Sequence, residues 1–155
     1  MSEKDVRNIA LFFFFALLDN RRAIDLTTQA LVYCRQKKDK NPQLSNNVLV
    51  VMATKKFWEK SQKAHLRGLP FLTADGGWVV PEKVEFGPWR EFQKNSTLDE
   101  LLIVIWIKIL NLSFLEVSEA LGVTEGTLRY RMARALRKLG AMTNLFSKKI
   151  DQVSL

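Results

Sequence analysis

Two ten-residue apolar runs constrain this chain more than any other feature: residues 9–18 (IALFFFFALL) and residues 101–110 (LLIVIWIKIL). Each is about half of the ~20 residues that a helix needs to cross a hydrocarbon core. The first also lacks the marks of a secretory leader. Glu3 and Asp5 dilute its positive start, and DNRR at residues 19–22 stands where small residues would precede cleavage. Both runs read as helices buried on most faces, in a cytoplasmic protein without a membrane span.

Composition narrows the chemistry. One cysteine excludes a disulfide framework or a cysteine-based zinc site, and one histidine, His65, excludes histidine-cluster metal chemistry. No paired carboxylates, metal-ligand spacing or phosphate loop emerges, so the expectation is a non-enzyme that needs no cofactor. The 24 Lys+Arg against 16 Asp+Glu, net +8, point to a polyanion as partner. That charge is uneven: residues 1–67 carry net +7, residues 68–97 net −1 and residues 98–155 net +2.

The middle part holds three of the four prolines and four of the seven glycines, together with Phe71, Trp78, Phe86, Trp89 and Phe92. It reads as an irregular connector that packs partly on its neighbours, with a turn at Asp75-Gly76-Gly77. The flanking parts read as helices, so the expected fold is all-α: two small helical domains, 1–67 and 98–155, joined by the linker 68–97.

In the first domain Ser2 can cap a helix through the apolar run, and Asp19 can cap a second through about Lys38. Ala23, Leu26, Ala30 and Tyr33 form the core stripe of that second helix, with Asp25, Thr28, Gln29 and Gln36 opposite. After the break at Asn41-Pro42, Ser45 can cap a third helix through about Leu66. Leu49, Met52, Ala53 and Phe57 face inward there, while Lys56, Lys60 and Lys63 share an outer stripe beside Lys55 and the aromatics Phe57 and Trp58. Basic groups next to exposed aromatics suit a single strand with unstacked bases.

The last part is the most legible. Thr97 to Glu100 reads as a capping box opening a helix to about Leu110, ended by Asn111 in a left-handed conformation. Ser113 to Glu116 is a second box, opening a short helix to Leu121. Gly122 supplies a tight turn, and Thr124 caps a longer helix closed at Gly140. Leu128, Met132, Ala135 and Leu139 make its apolar seam. Short helix, glycine turn and longer helix is the helix-turn-helix pattern. Residues 126–149 carry seven basic side chains and no acid. Thr124, Glu125, Gly126, Thr127, Arg129 and Tyr130 lie in the first turns, where base edges are met. Arg131, Arg134 and Lys138 follow one face and suit backbone phosphates.

Residues 112–139, LSFLEVSEALGVTEGTLRYRMARALRKL, closely resemble region 4 of sigma-70-type RNA polymerase sigma factors. The resemblance implies reading of the −35 promoter element, with contacts from Glu125, Gly126, Thr127, Arg129, Tyr130, Arg131 and Arg134. Residues 18–35, LDNRRAIDLTTQALVYCR, are similar to the region 2 helix that docks on the polymerase clamp, which implies a docking role for Asp25 and Gln29. Residues 45–67 then stand in place of the helix that meets the −10 element, with Lys55, Lys56, Lys60 and Lys63 as its cations. The whole plan resembles a small extracytoplasmic-function-type sigma factor. Gln29 stands where that family has an acid, and the 98–110 helix is more apolar than the family's, with Ile107 at a commonly basic position. The implied partners are promoter DNA, core RNA polymerase and an anti-sigma factor. The alternatives are a helix-turn-helix regulator, or a sigma-like interaction module that sequesters an anti-sigma factor or polymerase.

Overall fold

A computed structural model describes the backbone of residues 1–66 and 86–153, and the side chains of residues 1–63 and 86–140. The turn expected at 75–77, Trp78, His65, Lys148 and Lys149 lie outside the described side chains. Every regular element among the described residues is helical: α1 (Glu3–Leu17), α2 (Asn20–Lys40), α3 (Asn46–Leu66), α4 (Gly87–Asn95), α5 (Leu98–Val104), a π-turn (Ile105–Ile109), α6 (Phe114–Leu121) and α7 (Glu125–Val153).

The helix starts follow side-chain chemistry. Ser2 Oγ accepts from Asp5 N–H, and Asp5 Oδ2 accepts from Ser2 N–H at 2.8 Å, a reciprocal box that satisfies two donors of α1. Asp19 caps α2, and Ser45 Oγ accepts from Val48 N–H at the start of α3. Between α1 and α2 the chain reverses within two residues through Leu18, at φ 52°. A leucine in the left-handed region costs about 1 kcal/mol, and burial of both flanking helices holds it there.

Part of the expected connector is in fact a helix. Pro88 in the first turn of α4 has no N–H to waste and a preset φ, so a residue read as a breaker starts a helix instead. From α4, Trp89 Nε1 donates to Phe15 O at 2.8 Å, and Gln93 Nε2 donates to Phe15 O and Ala16 O at 3.0 and 3.1 Å. These donors satisfy carbonyls at the C-terminus of α1, whose last turn has no basic residue of its own.

The two apolar runs meet. Phe12 of α1 stacks on Trp106 of the π-turn with centroids 5.7 Å apart and planes 17° off parallel. Trp106 Nε1 donates to Thr54 Oγ1 of α3 at 3.0 Å, and that hydroxyl can in turn donate to Val50 O. The unusual apolarity of residues 101–107 has its reason here. All seven are buried, because α7 covers one side while α1 covers the π-turn. An α-helix would have run on to Leu110, yet the chain widens into a π-turn, with Leu110 N–H donating to Ile105 O. Asn111 then ends the segment at φ 58°, as its side chain allows. Further contact between the two helical units comes from α3 against α6, including Asn47 Nδ2 to Glu116 Oε1 at 2.8 Å.

Two further expectations are corrected. Thr97 caps α5, but Glu100 does not return to close a box; its carboxylate turns toward α7. The last helix does not stop at Gly140 and runs on to Val153. Glycine lowers helix propensity by about 1 kcal/mol without forbidding the helix, and residues 141–153 continue its pattern.

Candidate nucleic-acid interface

The corner between α6 and α7 is built locally. Ser113 and Glu116 form a reciprocal capping box, with Glu116 Oε2 accepting from Ser113 N–H at 3.0 Å. Burial alone would raise the Glu116 carboxyl. Hydrogen bonds from Asn47 and Ser113 outweigh it and hold the group below its ordinary range. Gly122 sits at φ 67°, a conformation an L side chain adopts only with strain, and its N–H reaches Ser118 O. Ser118 Oγ donates to Val123 O at 2.6 Å, so the turn is fixed from both sides. Thr124 Oγ1 accepts from Thr127 N–H at 3.1 Å and starts α7. Leu128, Met132 and Ala135 are buried and Leu139 packs against the same core, the seam read from the sequence.

What faces outward is a pre-set cation. Arg129 is 63 % exposed, its guanidinium lies 4.4 Å from the Phe114 ring centroid, and Glu125 stands 3.8 Å away. The side chain is drawn back toward the helix start, the direction in which helical side chains lean. Tyr130 beside it is 63 % exposed. Gly126 is exposed in the first turn, and a Cβ there would meet only Thr124 Oγ1, at 3.9 Å. No crowding demands glycine at that position; its effect is to leave the leading backbone of α7 open to close approach.

Arg131, Arg134 and Lys138 are placed differently. They face α5: Arg131 is 3.8 Å from Asp99, Arg134 is 3.2 Å from Glu100 Oε1, and Lys138 Nζ straddles the Glu100 carboxylate at 2.8 and 3.2 Å. Glu100 is 1 % exposed, while the cations keep 32 to 42 % of their side chains in solvent. These three thus fasten α7 to its neighbour while their outer edges border the open face. Arg137 is exposed on that face at helical spacing from Arg129, and the sequence reading passed over it. The 129, 133, 137 spacing was the available signal.

The other expected sites lie on the first unit. Asp25 and Gln29 are exposed on the outer face of α2, together with Ile24 at 47 % and Val32 at 52 %. Lys55 pairs with Glu59 at 3.3 Å, Lys56 Nζ lies 4.6 Å from the Tyr33 ring centroid, Lys60 lies 5.8 Å from that of Phe57, and Lys63 is exposed. Phe57 and Trp58 are buried, at 8 % and 4 %. Phe57 faces inward as its helical spacing implies, and the expectation of exposed aromatics beside the lysines is corrected, since both rings are committed to the core. Among the described residues no cluster of histidine, cysteine or acidic side chains could hold a metal ion. No helix among them is long and apolar enough to cross a membrane.

Residues 99–139, from α5 to the exposed body of α7, match the family described as sigma-70, region 4. The fold is similar to that of the sigma factor RpoE from Bartonella quintana, solved in complex with the anti-sigma factor NepR. The TM-score is 0.69 at 17 % sequence identity, covering 90 % of this chain and 92 % of that one. No protein with a curated description matches the sequence.

Proposed function

We propose that this protein is a sigma factor that binds core RNA polymerase through its first helical unit, residues 1–67, and directs it to promoters through its second, residues 98–155. The observation that carries the reading is the leading end of α7. A capped helix on a glycine corner presents Arg129 and Tyr130 to solvent at the position from which a recognition helix meets base edges. Thr124, Glu125, Gly126 and Thr127 form the approach surface, and Arg131, Arg134, Arg137 and Lys138 meet flanking phosphates with the parts of their side chains left in solvent. Asp25 and Gln29, flanked by Ile24 and Val32, form the polymerase-docking face. Lys55, Lys56, Lys60 and Lys63 supply the cationic track for the −10 strand. The protein acts in the cytoplasm, and an anti-sigma factor controls it, as NepR is bound to RpoE.

A second reading is supported by the packing between the two units. Promoter elements centred near −35 and −10 lie about 85 Å apart at 3.4 Å per base pair, whereas a compact chain of this length has a radius of gyration of about 15 Å. The Phe12–Trp106 stack and the Asn47–Glu116 hydrogen bond hold the units together. A chain that stayed closed would occupy a sigma-binding partner without bridging a promoter. In vitro transcription with core polymerase and genomic DNA, adding this protein as the sole specificity subunit, separates the two. New start sites support the initiation factor. Bound polymerase without new starts supports the sequestering module.

A further inference from the structure

Arg129 of α7 rests on a surface that another helix provides. Its guanidinium carbon lies over the Phe114 ring, 4.4 Å from the centroid, and Phe114 is the first residue of α6. That ring has little freedom. The Ser113–Glu116 capping box fixes the first turn of α6, Val117 is buried one turn on, and the half-buried ring packs against the same core. A cation over a ring meets its π face and makes no conventional hydrogen bond there, so the N–H donors of Arg129 stay available. Glu125 Oε2, 3.8 Å from Arg129 Nη2, is beyond ordinary hydrogen-bond length and occupies none of those donors. The outcome is an exposed guanidinium that is ordered before any ligand arrives. A phosphate asks little of such order, because its oxygens accept from many directions. A base edge asks more: guanine offers O6 and N7 side by side as two acceptors, where adenine offers an acceptor beside a donor.

We propose that Phe114 is a positioning residue for base readout, holding Arg129 so that α7 selects guanine at one position of the duplex. Phe114 touches no base and acts through Arg129 alone. A side chain already held in place loses less freedom on binding, and a misaligned one forfeits one of its two bonds. This role rests on the reading of α7 as a recognition helix and deepens it by naming the base and the residue behind the choice.

The test uses the full chain and, as probe, a pool of duplexes with a randomised core. Enrichment on the unaltered protein is expected to yield a guanine at a position where Arg129→Ala yields no preference. At that position an affinity ratio of guanine over adenine of about tenfold is expected. Phe114→Leu keeps an apolar side chain on the core and removes the ring; the ratio should fall to about twofold, with binding to duplex lacking that guanine and the salt slope unchanged. Phe114→Tyr keeps the ring and should restore the ratio. In the free protein, the ring current of Phe114 should move the Arg129 side-chain protons upfield, and Phe114→Leu should abolish that shift. Failure of the unaltered protein to enrich any sequence would sink the recognition-helix reading and this role with it. A guanine preference lost in Arg129→Ala but intact in Phe114→Leu overturns the role of Phe114 alone. So does Phe114→Leu weakening every duplex equally, the mark of a merely structural ring.

Discussion

Replacing Glu100 by glutamine removes one charge from a site where burial and ion pairing oppose each other. The carboxylate is 1 % exposed and is held by Arg134 at 3.2 Å and Lys138 at 2.8 Å. Breaking a fully buried ion pair costs about 3–5 kcal/mol. Here both cations stay a third or more in solvent and can rehydrate, and glutamine keeps the shape and one acceptor, so about 1–2 kcal/mol is expected. For a chain of this length that lowers the thermal midpoint by roughly 3–6 °C. Burial alone would raise the Glu100 carboxyl; the Lys138 hydrogen bond and the charges of Lys138 and Arg134 more than offset it, and the folded group titrates below its ordinary range. The stabilisation is therefore complete above the unfolded carboxyl pKa, near ~4.3, and is lost as pH falls through the lower folded value. Urea unfolding of both proteins from pH 7 down to pH 3 measures this directly. The gap should be widest at neutral pH and shrink in acid. A gap below about 0.3 kcal/mol at pH 7, or one that stays constant down to pH 3, would refute the reasoning.

Three other outcomes follow from the placement of single side chains. Arg129→Ala should leave stability nearly unchanged, weaken duplex binding about tenfold and reduce the salt slope by about one, as read by fluorescence anisotropy across salt concentrations. Trp106→Ala removes a 2 %-exposed ring that touches both helical units, and should cost about 3–5 kcal/mol with a single unfolding transition by circular dichroism; a spared first unit would show the interface to be weak. Asp25→Arg should weaken capture of core polymerase while leaving duplex binding intact, and equal capture by both proteins would remove α2 as the docking face.

Much of the second unit could be read from the sequence because its signals are local. Ser113 with Glu116, Gly122 and Thr124 each act within a turn of their own position, and each has the expected role. Glu100 shows where local reading ends. Its spacing from Thr97 fits a capping box, yet two cations 34 and 38 residues away compete for the carboxylate and win. Trp58 fails for a related reason: whether an aromatic beside lysines is exposed depends on neighbours far along the chain. The excess apolarity of residues 101–110 departs from the family pattern because α7 packs on α5 and α1 lies on the π-turn. Pro88 misled because proline punctuates a helix in its interior but favours its first turn.

A photo-crosslinker placed in turn at Tyr130 and at Ile24, two exposed positions on different units, tests the central claim most directly. In a mixture of core polymerase, promoter DNA and this protein, the probe at Tyr130 should label duplex upstream of the start site. The probe at Ile24 should label a polymerase subunit. Labelling of protein alone from Tyr130, with no DNA adduct in complexes that contain all three components, would contradict the claim that α7 reads the promoter.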